Sequence, residues 1–248
     1  MALSEHEIEA YRETGCIPVR SALDADTVET MRAEWRRLWD AIETSVDHRF
    51  VHWRTTTNGD RVADRLDPVS TLSKVFRDTA TSPALLGIAE HLLGGPAFVM
   101  KDKLISKLPE TGGYDLHQDW PYWAKTGVGP EDFLTIAIAL DPATPENGAT
   151  AFYKGLHAAP LPADETGLDV DPTAVAGLEA DLVTLAPGDA VCFHSLTPHQ
   201  SRPNRSNSAR RSWFITYARQ TKDSEQMLAR YEAVLDDVHK VHRRQTPG

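Results

Sequence analysis

From residue 97 onward the chain is written as short apolar or alternating runs, AFVMKDKLISKL, FLTIAIAL, ATAFY, DLVTL, AVCFH and RSWFITYAR, and no other feature constrains the fold as tightly. β-Branched and aromatic side chains suit a pleated, half-buried surface. The separators PETGG, DPATPENG, LAPGD and SRPNRSNS are rich in Gly, Pro, Asn and Asp, which supply the backbone angles of chain reversals. Strands of this length and spacing predict a sandwich or barrel.

The segments on either side have a different period. Ser4 followed by Glu7 predicts a capping box, with Ile8 and Tyr11 as a short stripe before Gly15 and a strand over Cys16 to Val19. Asp24 predicts the cap of a second helix that carries Val28, Met31, Trp35, Leu38 and Ile42 at helical spacing. A third helix over about Ser82 to Leu93 is stopped by Gly94-Gly95-Pro96. Residues 51–68, with Arg54, Arg61 and Arg65, follow neither period and are expected to form a long irregular loop. After Arg219 the helical period returns with Met227, Tyr231, Val234, Leu235 and Val238. The expectation is one domain over residues 1–248: a mostly helical part with a loop (1–96), a β core (97–220) and a C-terminal helix (221–248).

With 248 residues, 41% of them hydrophobic, the chain can bury one substantial core. A formal charge of -10 argues against nucleic acid or an anionic membrane as partner. No stretch approaches the roughly 18 apolar residues of a membrane span. Cys16 and Cys192 sit far apart in apolar settings that suit buried reduced thiols, which points to the cytoplasm.

In Tyr114-Asp-Leu-His117-Gln-Asp119-Trp120, residues i and i+2 of a strand would turn an imidazole and a carboxylate to the same side. Taken alone, this is as well explained by a strand-end His bonded to a neighbouring Asp. The second informative segment runs from Gly188-Asp189 through an apolar strand to His194 and His199, then Ser201, Asn204, Ser206, Arg210 and Arg211. Two His and one carboxylate from separate strands would form the facial triad of non-haem Fe(II) oxygenases, with three coordination positions left open. Two of these suit a chelating 2-oxoacid and one suits dioxygen. The oxoacid needs a counter-charge at its far end, where the guanidinium of Arg210 offers a bidentate fork and Ser201 a further hydrogen bond.

The pattern H-x-D at residue 117, then GD-x4-H-x4-H-x-S-x2-N-x-S-x3-RR, resembles the phytanoyl-CoA dioxygenase family of 2-oxoglutarate enzymes, as do Glu146-Asn147-Gly148 and the KLP run at 107–109. The resemblance covers roughly residues 97–220. It implies a fold that is mainly β with flanking helices, around a double-stranded β-helix (a cupin-like jelly roll). It also implies Fe(II) on His117, Asp119 and His199, with 2-oxoglutarate held by Arg210 and Ser201 and with Thr150 nearby. By the family pattern His194 is not the ligand and His157 is a loop residue, while Arg211 is set aside because adjacent strand residues face opposite sides and only one of Arg210 and Arg211 can reach the site. The implied reaction consumes O2 and 2-oxoglutarate, releases succinate and CO2, and hydroxylates a C–H bond of a small polar metabolite or natural-product intermediate. Because a carboxylate is present at Asp119, halogenation is not expected. Trp120, Tyr122 and Trp123 are candidates for the substrate wall. Lys101, Lys103 and Lys107 alternate along one strand, either as a solvated face or, at Lys103 first, as a contact to an anionic group on the substrate. A cupin-like isomerase or oxygenase that does not use 2-oxoglutarate is the alternative.

Overall fold

The computed structural model describes residues 3–56, 59–165 and 167–231. Helix α1 (Glu5–Thr14) opens with the expected capping box and ends where Gly15, at φ 72°, donates its N–H to Tyr11 O. It leads into strand β1 (Cys16–Val19) and helix α2 (Ala25–Asp40), whose cap Asp24 accepts from Thr27 N. Strands β2 (Val51–Thr55) and β3 (Arg61–Leu66) follow, then helices α3 (Val69–Leu72), α4 (Lys74–Ala80) and α5 (Pro83–Leu93). The remaining elements are β4 (Ala97–Lys107), β5 (Tyr114–His117), the one-turn α6 (Trp120–Trp123), β6 (Phe133–Ala139), β7 (Thr150–Phe152), β8 (Asp181–Leu182), β9 (Ala190–His194), β10 (His199–Ser201) and β11 (Arg210–Arg219).

These strands form a seven-stranded sheet in the order β1-β9-β6-β11-β4-β3-β2 and a four-stranded sheet in the order β5-β10-β7-β8. Every pairing is antiparallel. This is the expected mainly-β double-stranded β-helix with flanking helices. The outer face of the large sheet carries Leu104, Trp213, Ile215 and Tyr217, which join α2, α4 and α5 in the main hydrophobic core. Alternation along β11 sends Arg210, Ser212 and Phe214 the other way, into the space facing Thr150 and Phe152 of the small sheet. Gly188 sits at φ 87°, where a Cβ would lie 2.5 Å from Leu23 O, so the turn into β9 requires glycine. Both cysteines are free and buried, as expected, and burial pushes the Cys16 thiol up to about 12.

Two expectations are corrected. Residues 51–68 are not an irregular loop: β2 and β3 pair as a hairpin, and β3 joins β4 through Arg65↔Ile105 and Leu66↔Leu104. The hairpin lacks an apolar period because several of its part-buried positions are charged or polar and satisfied by one another, as in Arg54 with Asp64 and Arg65 with His52. The β core also does not begin at residue 97, since β1 forms one edge of the large sheet and β2 the other. Of the C-terminal helix, residues 224–231 are helical, with Met227 and Tyr231 buried; Val234, Leu235 and Val238 lie outside the described residues. Among the described residues no helix is long and apolar enough to cross a membrane.

Candidate metal centre

His199 on β10 stands directly opposite His117 on β5, so antiparallel register alone brings the two imidazoles together, with ring centroids 4.2 Å apart and planes tilted by 52°. Asp119 arrives by a different route from the one its i+2 spacing suggests. β5 ends at His117, and Asp119 has helical backbone angles, φ -71° and ψ -37°, at the start of α6. The chain turns after His117, and this turn folds the carboxylate back to 3.8 Å from His117 Nε2. One ligand atom from each of His117, Asp119 and His199 lies within 4.8 Å of the others.

Neighbouring groups prepare these side chains for a cation. His117 Nδ1 is 2.7 Å from Asp115 O, and His199 Nδ1 is 2.9 Å from Thr197 O. A carbonyl can only accept, so each Nδ1 carries the proton and each Nε2 keeps its lone pair. Thr135 Oγ1 on β6 donates to Asp119 Oδ2 at 3.1 Å and so fixes the carboxylate plane. Phe152 stacks on the His199 ring and Phe193 tilts against it. Burial, then the neighbouring His117, pushes His199 down to about 3, which keeps it a neutral ligand. Burial opposes the charge on Asp119, yet His199, Lys103 and His117 hold its carboxyl below the usual range. Two imidazoles presenting Nε2 and a carboxylate fit a divalent cation with three positions to spare.

A small cavity lies between the sheets, lined by Arg210, Ser212, Phe214, Thr150, Phe152 and Leu185 among others. Arg210 is 3% exposed and its Nε has no hydrogen-bond partner among the described residues. Burial pushes the guanidinium down to about 10. Thr150 and Ser201 are register partners on β7 and β10. Ser201 Oγ accepts from Lys107 Nζ at 2.7 Å, and the same ammonium reaches the carbonyls of Gly148 and Arg202. Lys107 is therefore not on a solvated strand face: it is 1% exposed, and burial together with Arg210 pushes it down to about 7.

The residues set aside as decoys lie elsewhere. Arg211 forms a bidentate pair with Asp141 and covers Trp35. His194 accepts from Leu196 N and packs beside His157, whose Nε2 faces Arg12 O. Of the aromatic candidates, Tyr122 is 40% exposed, meets His117 edge-on and donates to Asp169. Trp123 is instead buried against Phe133, Met100 and Tyr231, and Trp120 packs on that same cluster while donating to Val128 O. Helical α6 spreads neighbouring side chains around its axis, which puts the two indoles in that cluster and Tyr122 beside His117. Sequence reasoning missed Thr135, the role of Lys107, and Arg65 with Asp67 on the unforeseen hairpin. A polar residue inside the otherwise apolar FLTIAIAL was the available signal for Thr135.

Residues 11–212 match the family described as phytanoyl-CoA dioxygenase. The chain is 31% identical to a methylphosphonate hydroxylase from Gimesia maris, over 87% of this chain and 80% of that protein. It is 24% identical to a 2-aminoethylphosphonate dioxygenase from an uncultured bacterium, over 88% and 82% of the two chains. Among solved structures, the non-heme alpha ketoglutarate dependent epimerase SnoN from nogalamycin biosynthesis superposes with a TM-score of 0.73 at 25% identity, covering 88% of this chain and 83% of that one.

Proposed function

This chain belongs to the phytanoyl-CoA dioxygenase family, and from that premise we propose how its residues share the work of an Fe(II)- and 2-oxoglutarate-dependent hydroxylation. The protein is an Fe(II)/2-oxoglutarate-dependent dioxygenase with a His-Asp-His triad. Fe(II) held by His117, Asp119 and His199, together with 2-oxoglutarate and O2, supplies the oxidation of an unactivated C–H bond, with succinate and CO2 as co-products.

The rest is the work of the protein. The Asp115 and Thr197 carbonyls hold the two imidazoles in the ligating tautomer, and Thr135 keeps Asp119 from rotating. Arg210 binds the distal carboxylate of 2-oxoglutarate, whose oxygens complete the guanidinium's unfilled hydrogen bonding. Ser201 and Thr150 bring hydroxyls to that end of the cavity, and Lys107 orients the Ser201 hydroxyl. Phe152, Phe214 and Leu185 keep water from the space between. Tyr122 closes the exposed side of His117. With Asp119 supplying a carboxylate to the triad, the reaction is a hydroxylation or a related oxidation such as desaturation, and not a halogenation. The substrate is a small polar metabolite, and two phosphonate-oxidising relatives put phosphonic acids first among those to try.

The observation that carries this reading is the buried, partner-poor Arg210 in the same cavity as Phe152, the ring stacked on His199. Anaerobic addition of Fe(II) and then 2-oxoglutarate is expected to produce a weak visible charge-transfer band. A protein that binds Fe(II) tightly but gives no band with 2-oxoglutarate would refute it, and would favour a metalloenzyme that needs no oxoacid.

A further inference from the structure

Lys103 pairs in register with Phe214, and Lys101 with Thr216. Phe214 lines the cavity and Thr216 lies beside Thr135, so β4 turns both ammonium groups toward the inside of the fold. Arg65 on β3 stands opposite Ile105 on the same strand. Three cations are thus gathered where one carboxylate serves them: Asp67 Oδ2 lies 3.6 Å from Lys101 Nζ and 3.7 Å from Arg65 Nε.

Lys103 has neither an ion pair nor a hydrogen bond among the described residues; the Phe214 ring, 5.4 Å from its Nζ, is its one aromatic contact. Arg65 Nε is buried without a hydrogen-bond partner. Burial pushes the Lys103 ammonium down to about 8, still charged at neutral pH, and of the charged groups acting on it Asp119 is the strongest, followed by Lys101 and Arg65. Once Asp119 gives its charge to a metal, three cations face the single carboxylate of Asp67, and the excess of two positive charges matches a dianion. All three side chains are half-buried, and cations drawn partly out of water are unfavourable unless a counter-charge arrives. This excess is separate from the Arg210 seat, because Arg210 pairs with Lys107 and Lys103 lies four residues back along β4, roughly 13 Å away.

We propose that Lys103, with Arg65 beside it, is the seat for an oxyanion on the substrate, so that the enzyme hydroxylates a small molecule carrying a phosphonate or carboxylate group held next to Asp119. The inference rests on the dioxygenase reading given above. The charge excess favours the phosphonate dianion over a carboxylate.

The test is calorimetry on the whole protein under argon, loaded with Fe(II) and 2-oxoglutarate, with methylphosphonate, acetate and the neutral dimethyl ester of methylphosphonate as probes. Methylphosphonate is expected to bind best, acetate more weakly and the ester not at all. K103M is expected to weaken methylphosphonate binding at least about tenfold, and K103R, which keeps the charge, to restore most of it. R65Q is expected to weaken it by a smaller factor. Thermal unfolding without probe separates this role from a structural one: K103M should melt no lower than the wild type, because it removes an unpaired cation. Equal affinity for ester and anions, unchanged binding in K103M, or K103M melting clearly lower would overturn the proposal. A wild type that forms the charge-transfer band but binds neither oxyanion also overturns it, leaving the dioxygenase reading intact. Failure to form the band would instead sink that reading.

Discussion

The two faces of the large sheet are built from the same strands yet treat buried charged groups in opposite ways. On the outer face Asp102 is fully buried, but its carboxylate accepts from Ser70 N, Ser70 Oγ and Trp213 Nε1, and the Tyr217 hydroxyl donates to Ala80 O. On the inner face Arg210 and Arg65 each keep a guanidinium nitrogen without a partner. Buried charged groups in folded proteins are almost always paired, so guanidinium nitrogens left open on one side of a sheet mark the side that waits for ligands, while the outer face leaves open only neutral atoms such as Ser106 Oγ among the described residues. The outer face spends its hydrogen bonds on stability and the inner face holds some of them for binding.

Variants on the two faces should therefore separate activity from stability. The largest effect belongs to the inner face: H199A should lower turnover by about three orders of magnitude or more, with loss of the charge-transfer band and little change in unfolding. Near-normal turnover in H199A would remove the distinction between the faces altogether. Next, on the outer face, D102A strands the Trp213 and Ser70 donors and should lose about 2–4 kcal/mol in urea unfolding, while 2-oxoglutarate affinity of the folded fraction stays within about twofold. R210A should raise the 2-oxoglutarate requirement about thirtyfold, read as the concentration at half-maximal band intensity, with stability unchanged or improved. Destabilisation of R210A as severe as that of D102A would mean the guanidinium belongs to the scaffold. The smallest effect expected is about tenfold weaker Fe(II) binding in T135V, measured by competition with a chelator, since the hydroxyl acts only by steadying Asp119.

The His117, Asp119 and His199 cluster was legible in the sequence because its spacing translates into antiparallel register, with His199 meeting His117. The reason assigned to Asp119 was nevertheless incorrect, since a helical turn and not strand alternation brings it back. The hairpin at 51–66 escaped notice because a strand facing a polar interior does not alternate apolar with polar, and the period that marks an ordinary strand is missing. Lys107 was obscured for a related reason: three lysines at every second or fourth position look like a wet surface, and only the closing of the second sheet over them makes the space between an interior. Trp123 shows the converse, an aromatic residue close to the ligands in sequence that α6 rotates into packing.

The edges of the large sheet carry a consequence for how the molecule is made. β1 closes on β9 with Cys16 opposite Phe193, and β2 with β3 closes the other side against β4. Because β1 is made long before its partner β9, it must wait unpaired, so this edge of the sheet forms late and through contacts of long loop closure. Trimming the chain to residues 97–220 would leave the ladders of β9 and β4 open to other copies of themselves, and such a fragment should come out of cells as aggregate.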